Sequence, residues 1–194
     1  MIYHELAPAV AFWVTFGIWS IGERLLIFRD HRSGRTSHGS QDAGTFLWTA
    51  GGLISGVLAG LVLALVSVFE LPDPVTWLVI GLVVAWGGIL LRYWSVRTLG
   101  QFFTTTIVIQ PEHRVISNGP YRFVRHPSYL GMMITLIGLG LALGNLASIV
   151  AMVILPAIGF VRRITIEEAT LSNSLGTSYV DYCQGRARLI PGIW

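Results

Sequence analysis

Residues Tyr129 to Val161 read YLGMMITLIGLGLALGNLASIVAMVILPAIGFV, an uncharged run too long for one membrane crossing of roughly 20 residues and short for two. Gly144-Asn145 near its middle is a turn signal, so the run predicts a helical hairpin. Its arms, Tyr129 to Leu143 and Leu146 to Val161, each span only about 22–24 Å at 1.5 Å per residue, against a hydrocarbon core of roughly 30 Å. Either the bilayer thins there or polar flanks extend the helices. Further apolar stretches run from Ala7 to Ile21, Thr45 to Phe69 and Val75 to Leu91. The chain is 53% hydrophobic and 12% charged, with a mean hydropathy of +0.66, far from the balance of a soluble domain. The expected fold is an all-α integral membrane protein of about five transmembrane helices, the last two a short hairpin.

The chain has no lysine, so arginine supplies all 13 basic residues of the Lys+Arg count. Arg24, Arg29, Arg32 and Arg35 follow the first apolar stretch. Arg92, Arg97, Arg114, Arg122 and Arg125 lie between the third and the hairpin; Arg162, Arg163, Arg186 and Arg188 come after it. The amino end, the Glu70–Pro74 turn and the Gly144 turn carry none. Under the positive-inside rule the amino terminus lies outside and the carboxyl end in the cytoplasm, in the cell membrane if the source is prokaryotic. The net charge of +3 needs no nucleic-acid partner, because basic juxtamembrane loops facing anionic lipid account for it. No basic n-region precedes Ala7, so the first stretch is expected to be a retained helix. The lone cysteine, Cys183, excludes an internal disulfide and is expected to be a bystander.

Without repeats or low-complexity linkers, one domain is expected, with residues 1–97 a three-helix scaffold and 98–194 a functional core. Gly52, Gly56 and Gly60 recur every fourth residue with Ala64 continuing the row, a face that lets another backbone approach; packing within the chain is the favoured use. Arg29 to Asp42, rich in Ser, Gly, His and Arg, reads as a solvated connector.

From Thr98 the texture changes. Thr104 to Ile109 is β-branched, Gln110-Pro111-Glu112 breaks it, and His113 to Ile116 follows, predicting a short extended hairpin before the turn at Asn118-Gly119-Pro120. Gly119 to Gly131, GPYRFVRHPSYLG, then packs rings, two arginines and a His-Pro step where a loop enters an apolar helix. Proline suits the first turn of that helix, whose leading N–H groups are free to meet an anion. Past the hairpin, Arg163 and Glu167 share a helix face, which by itself reads as a surface ion pair worth a few tenths of a kcal/mol. Of the two glutamates, Glu168 is expected to face solvent more than Glu167, though either could serve as an acceptor. Gly176 ends that helix, and Tyr179, Tyr182 and Trp194 are expected to anchor the tail at the interface.

The combination G-x-Y-x-x-x-R-H-P-x-Y at Gly119 to Tyr129, a short hairpin, R-x-x-x-E-E at Arg163 to Glu168, L-G-x-x-Y-x-x-Y at Leu175 to Tyr182 and a terminal R-L-I-P resembles the isoprenylcysteine carboxyl methyltransferase family, within the wider group containing phospholipid methyltransferases. The resemblance covers roughly Leu99 to Pro191. It implies a membrane enzyme that uses S-adenosyl-L-methionine, held by the cytoplasmic loop and the carboxyl-terminal tail, and a lipid-like or lipidated acceptor. No strand–Gly-rich-turn–helix unit offers an alternative dinucleotide site. By position, the implied cofactor contacts fall on Gln110, His113, Arg114, Val115, Ile116, Tyr121, His126, Pro127, Ser128, Tyr129 and Glu167. The implied acceptor-carboxylate arginines are Arg163 and Arg125. The loop before His113 is shorter than in eukaryotic members, which bears on Gln110.

The residue types suit such a reaction. A carboxylate is already ionised at neutral pH, so methyl transfer to it needs alignment and desolvation and no general base. Guanidinium orients a carboxylate through paired planar donors. Glu167 is an acceptor for cofactor amino or hydroxyl groups, and the rings of Tyr121 and Tyr129 favour a positive charge over their faces. His113 and His126 lack a thiol or carboxylate at ligand spacing, so no metal is expected. Open alternatives are an amine-lipid N-methyltransferase, a thiol S-methyltransferase, an NADPH-dependent sterol-reductase-like protein and a non-catalytic membrane protein.

Overall fold

The computed structural model describes residues 6–32, 42, 44–110 and 112–194. Every regular element among them is helical: α1 (Leu6–Arg32), α2 (Thr45–Leu63), α3 (Pro74–Leu99), α4 (Pro127–Ala142), α5 (Leu146–Leu175) and α6 (Thr177–Cys183). Four helices, α1, α2, α3 and α5, are long and apolar enough to cross a membrane. The protein is therefore multi-pass. The expected fifth crossing, α4, has 16 residues, about 24 Å, and falls short of the roughly 30 Å core.

The turn forms where expected, with Gly144 at φ 64°. Asn145 is fully buried and caps α5, its side-chain oxygen accepting from the Ser148 N–H at 3.1 Å while its amide donates to the Val66 carbonyl at 3.0 Å. The second arm does not stop at Val161. α5 runs on for 30 residues to Leu175 because Arg163, Ile164, Glu168 and Thr170 stay buried on its inner face, so packing continues past the apolar stretch. Gly176, at φ 59°, then ends it.

Two close helix pairs, both antiparallel, build the bundle. Along α3 and α4, a Cβ on Gly81, Gly88 or Gly138 would lie within 2.4 Å of partner backbone. Along α2 and α5, Gly52, Gly56 and Gly60 meet Leu155, Pro156 and Met152, which makes the four-residue glycine row an intramolecular seam. Such approach is how membrane helices gain packing when lipid removes the hydrophobic drive between them. Gly88→Ala should force α3 and α4 apart at a cost of about 1–3 kcal/mol. Gly87→Ala, with open space at its Cβ, should gain slightly from helix propensity. Melting temperatures in detergent micelles decide it: equal values for the two variants would show that the seam is loose.

The extended hairpin expected over Thr104 to Ile116 does not form. No strand occurs among the described residues, where the isolated bridges are Glu70–Asn145 and Val124–Ala187. The groups a ladder would need are taken by side chains. Asp30 accepts from the Thr105 N–H at 2.6 Å and from its hydroxyl at 2.5 Å, and Arg163 donates to the Thr105 carbonyl at 2.7 Å. Of the connector read as solvated, α1 covers residues up to Arg32, residues 33–41 lie outside those described, and Asp42 is buried at 6% exposure.

Candidate active site

At the arginine-rich end of the bundle, where α1, α3 and α5 finish and α2 and α4 begin, a cavity of about 220 Å³ opens between the helices and the 102–116 segment. One water needs roughly 10–15 Å³ in the same measure, so the space is ligand-sized. Every residue singled out from the sequence lines it except Gln110 and Pro127. Gln110 turns away, its side-chain amide donating to the Gln101 carbonyl at 2.8 Å. Pro127 is packed out of reach in the first turn of α4, fully buried.

Arg163 is no surface residue. At 4% exposure its Nε donates to the Tyr129 hydroxyl at 2.6 Å, Nη1 to Asp42 Oδ1 at 3.1 Å and Nη2 to the Thr105 carbonyl. The Tyr129 hydroxyl in turn donates to Glu167 Oε2 at 2.8 Å. Arginine and glutamate therefore communicate through a phenol, and the expected exposed pair is replaced by a buried relay. A second buried cation, Arg92, forms a bidentate pair with Glu23 at 3.0 Å on both arms and donates to the Ser128 hydroxyl. Its guanidinium lies over the Phe103 ring. Glu23, Arg92, Phe46 and Leu53 bring α1, α2 and α3 into the cavity wall.

Glu168, expected in solvent, is buried at 8% exposure among Arg125, His126 and Arg188. Tyr179 and Tyr182 are likewise buried and line the cavity. The Tyr182 hydroxyl donates to the Tyr121 carbonyl at 2.8 Å, and burial pushes its pKa up to about 12. Trp194 folds back, its ring under Arg188.

Burial holds the His113 imidazole below its ordinary pKa against an opposing pull from Glu167. Burial raises the Tyr121 phenol well above its usual value. Burial would also raise the Asp42 carboxyl, but the Phe46 N–H, the Thr45 hydroxyl and the Arg163 guanidinium outweigh it and hold it below 3.8. A carboxyl depressed by folding stabilises the fold above its unfolded pKa of about 3.9, and loses that contribution as pH falls through the lower folded value. Asp42→Asn should cost about 1.5–3 kcal/mol at neutral pH and flatten part of the acid-side decline below about pH 4. Thermal melts across pH test this; an unchanged acid limb would remove Asp42 as its source.

Three buried polar atoms on cavity-lining residues, Thr106 Oγ1, His113 Nδ1 and the Tyr121 hydroxyl, have no hydrogen-bond partner among the described residues. Orphaned groups of this kind cost free energy unless something else satisfies them. With the neighbouring Glu167 carboxylate and the rings of Tyr121 and Tyr129, the donor and acceptor set fits a polar, cationic, aromatic ligand. No group of three or more metal-ligating side chains occurs among the described residues.

Residues 79–173 match the isoprenylcysteine carboxyl methyltransferase (ICMT) family. The matched stretch is 95 of the 194 residues, just under half of the chain. Protein-S-isoprenylcysteine O-methyltransferase A of Arabidopsis thaliana is 34% identical over 113 residues, covering 57% of each chain. A probable protein-S-isoprenylcysteine O-methyltransferase of Oryza sativa is 37% identical over 107 residues, 54% of this chain and 56% of that one. The enzyme of Schizosaccharomyces pombe is 35% identical over 94 residues, 47% of this chain and 40% of its own length. The chain thus spans about half the length of the curated relatives it matches. Within the ICMT-family stretch lie Arg92, His126, Tyr129, Arg163 and Glu167. Glu23, Asp42, Tyr179 and Arg188, which complete the site, fall outside it.

Glu23 and Arg92, one or two residues past the apolar stretches Ala7–Ile21 and Val75–Leu91 and inside the membrane-length helices α1 and α3, were accessible to sequence reasoning, since ionisable residues at membrane depth mark function by default. Asp42 had no such signal, being one polar residue in a polar loop.

Proposed function

We propose that this protein is a membrane methyltransferase that uses S-adenosyl-L-methionine to esterify the carboxylate of a lipid-like acceptor. The observation that carries the reading is the juxtaposition, in one cavity, of the orphaned polar atoms of His113 and Tyr121 with the Arg163–Tyr129–Glu167 relay. The family stretch and the names of its relatives support the same reaction class.

S-adenosyl-L-methionine supplies an electrophilic methyl group on a sulfonium. Glu167 accepts hydrogen bonds from its amino or hydroxyl groups, and the Tyr121 hydroxyl and His113 Nδ1 gain partners on its arrival. Arg163, fixed through all three nitrogens, keeps the Tyr129 proton directed at Glu167 and offers its remaining terminal N–H to the acceptor carboxylate. Arg125 adds a cationic edge: its Nε and one terminal nitrogen are held by the Arg186 carbonyl and Glu168. No proton needs to be removed, because the acceptor arrives ionised. Apolar lining from Phe46, Leu53 and Met132 excludes water, which strengthens each charged contact.

The acceptor class is tested with tritium-labelled S-adenosyl-L-methionine and detergent-purified protein, offering a prenylated cysteine, a fatty acid, an amine lipid and a small thiol. Base-labile label on a carboxylate acceptor is the expected result. Label only on the amine or thiol would overturn it. The arginine distribution supports a cytoplasmic position for this end of the bundle; a cysteine at Asp73, in a Cys183→Ser background, should react only with reagent added outside, and reaction from inside alone would invert the topology.

A further inference from the structure

Glu167 and Glu168 are adjacent on α5, yet only Glu167 lines the cavity. Glu168 faces three donors from two other segments. Its Oε1 accepts from Arg125 Nη1 at 3.1 Å and meets His126 Nε2 at 3.1 Å, and its Oε2 accepts from Arg188 Nε at 2.8 Å. Arg125 and His126 are themselves cavity residues. Their backbone N–H groups donate to the Ala187 and Arg188 carbonyls at 2.9 and 3.0 Å, so the carboxyl-terminal tail lies against the charged run through main chain and side chain at once. One carboxylate ties α5, the 125–126 step and the tail into a single unit.

We propose that Glu168 is a positioning residue for this site: it holds the His126 ring with a proton on Nε2, sets the Arg125 guanidinium, and through Arg188 makes tail docking part of that arrangement. A carboxylate bridging two guanidiniums has only acceptor oxygens, so the imidazole nitrogen facing it must be the N–H. In the neutral form of the ring Nδ1 is then the acceptor, the same device by which outer carboxylates fix histidine tautomers elsewhere. The requirement is strict because all three partners of Glu168 are donors. A glutamine in its place has one acceptor oxygen and one NH2 group, and cannot serve both sides. Oriented toward His126 and Arg125, its oxygen leaves NH2 against Arg188 and frees the tail. Reversed, it confronts His126 with a donor and drives the proton to Nδ1.

The inference rests on the methyltransferase reading only in taking this cavity as the working site, and its test does not depend on activity. The full chain, labelled with 15N-histidine in detergent micelles, reports the tautomer by ring-nitrogen shifts, with His126 assigned by its loss in His126→Gln. Trypsin cleavage after Arg186 reports tail docking. Neutral His126 in the parent should carry its proton on Nε2. Glu168→Gln should move that proton to Nδ1 or speed cleavage at Arg186 by roughly tenfold, the effect of losing a charge-assisted contact on the open population. Arg188→Ala should speed cleavage similarly and leave the tautomer as in the parent. A proton on Nδ1 in the parent, which needs no variant to fold, would overturn the proposal. So would parent-like tautomer and cleavage in Glu168→Gln, or parent-like cleavage in Arg188→Ala. Loss of methyl transfer with these signatures intact would count against the proposed reaction and not against the role of Glu168.

Discussion

Glu167→Ala should weaken S-adenosylhomocysteine binding by roughly 10- to 150-fold, the equivalent of about 1.5–3 kcal/mol for a hydrogen bond to a charged group. The carboxylate is half-buried at the cavity wall and receives one bond from the Tyr129 hydroxyl at 2.8 Å. Its second oxygen has no hydrogen-bond partner among the described residues, so a ligand amino or hydroxyl group has an acceptor there. Glu168→Ala is no control for this experiment, since it would disturb Arg125, His126 and Arg188 together. Asp181→Ala is one: the residue is exposed on α6 and does not line the cavity. Calorimetry on both variants gives the answer, and Glu167→Ala binding as tightly as Asp181→Ala would move the cofactor acceptor elsewhere.

The elements that hydrophobic length and turn chemistry govern are legible in the sequence. The α4–α5 turn at Gly144-Asn145, the entry of Pro127 into α4 and the glycine row of α2 follow from local rules, and they stand. What could not be read is where the polar groups of the connecting segments go. Thr104 to Ile109 has the β-branched composition of a strand, but its backbone bonds are claimed by Asp30, Asp42 and Arg163, three residues distant in sequence. The same holds for the pair of glutamates. Helical periodicity separates Glu167 from Glu168 by about 100°, yet which one meets the cavity depends on where the tail packs, and Arg188 decides that from 20 residues away. The place of Gln110 outside the cavity lining was illegible for a similar reason, its amide being drawn to the Gln101 carbonyl. Charges at the edge of apolar stretches carry a further signal: Glu23 and Arg92, just past Ile21 and Leu91, meet as a bidentate pair in the cavity wall.

Arg163→Lys should reduce methyl transfer to a carboxylate acceptor by at least ~10-fold, about 1.4 kcal/mol in the transition state. The guanidinium places donors at three separate points, on Tyr129, Asp42 and the Thr105 carbonyl, while keeping a terminal N–H for the acceptor. An ammonium puts its three donors on one atom and cannot span those positions, so it keeps Asp42 at the cost of orientation. Cofactor affinity should change little, because Tyr129 donates to Glu167 with its own proton and receives from Arg163 on its lone pair. Losing the second bond leaves the first in place. The two variants therefore separate the two halves of the relay: Glu167→Ala acts on binding, Arg163→Lys on turnover. A melting temperature near that of the parent is needed beside the rate, since Arg163 also holds α5 to the 102–116 segment. If Arg163→Lys turned over a carboxylate acceptor at the parent rate, or lost S-adenosylhomocysteine as severely as Glu167→Ala, the arginine would be a strut for Tyr129 and an amine or thiol acceptor would become the better reading.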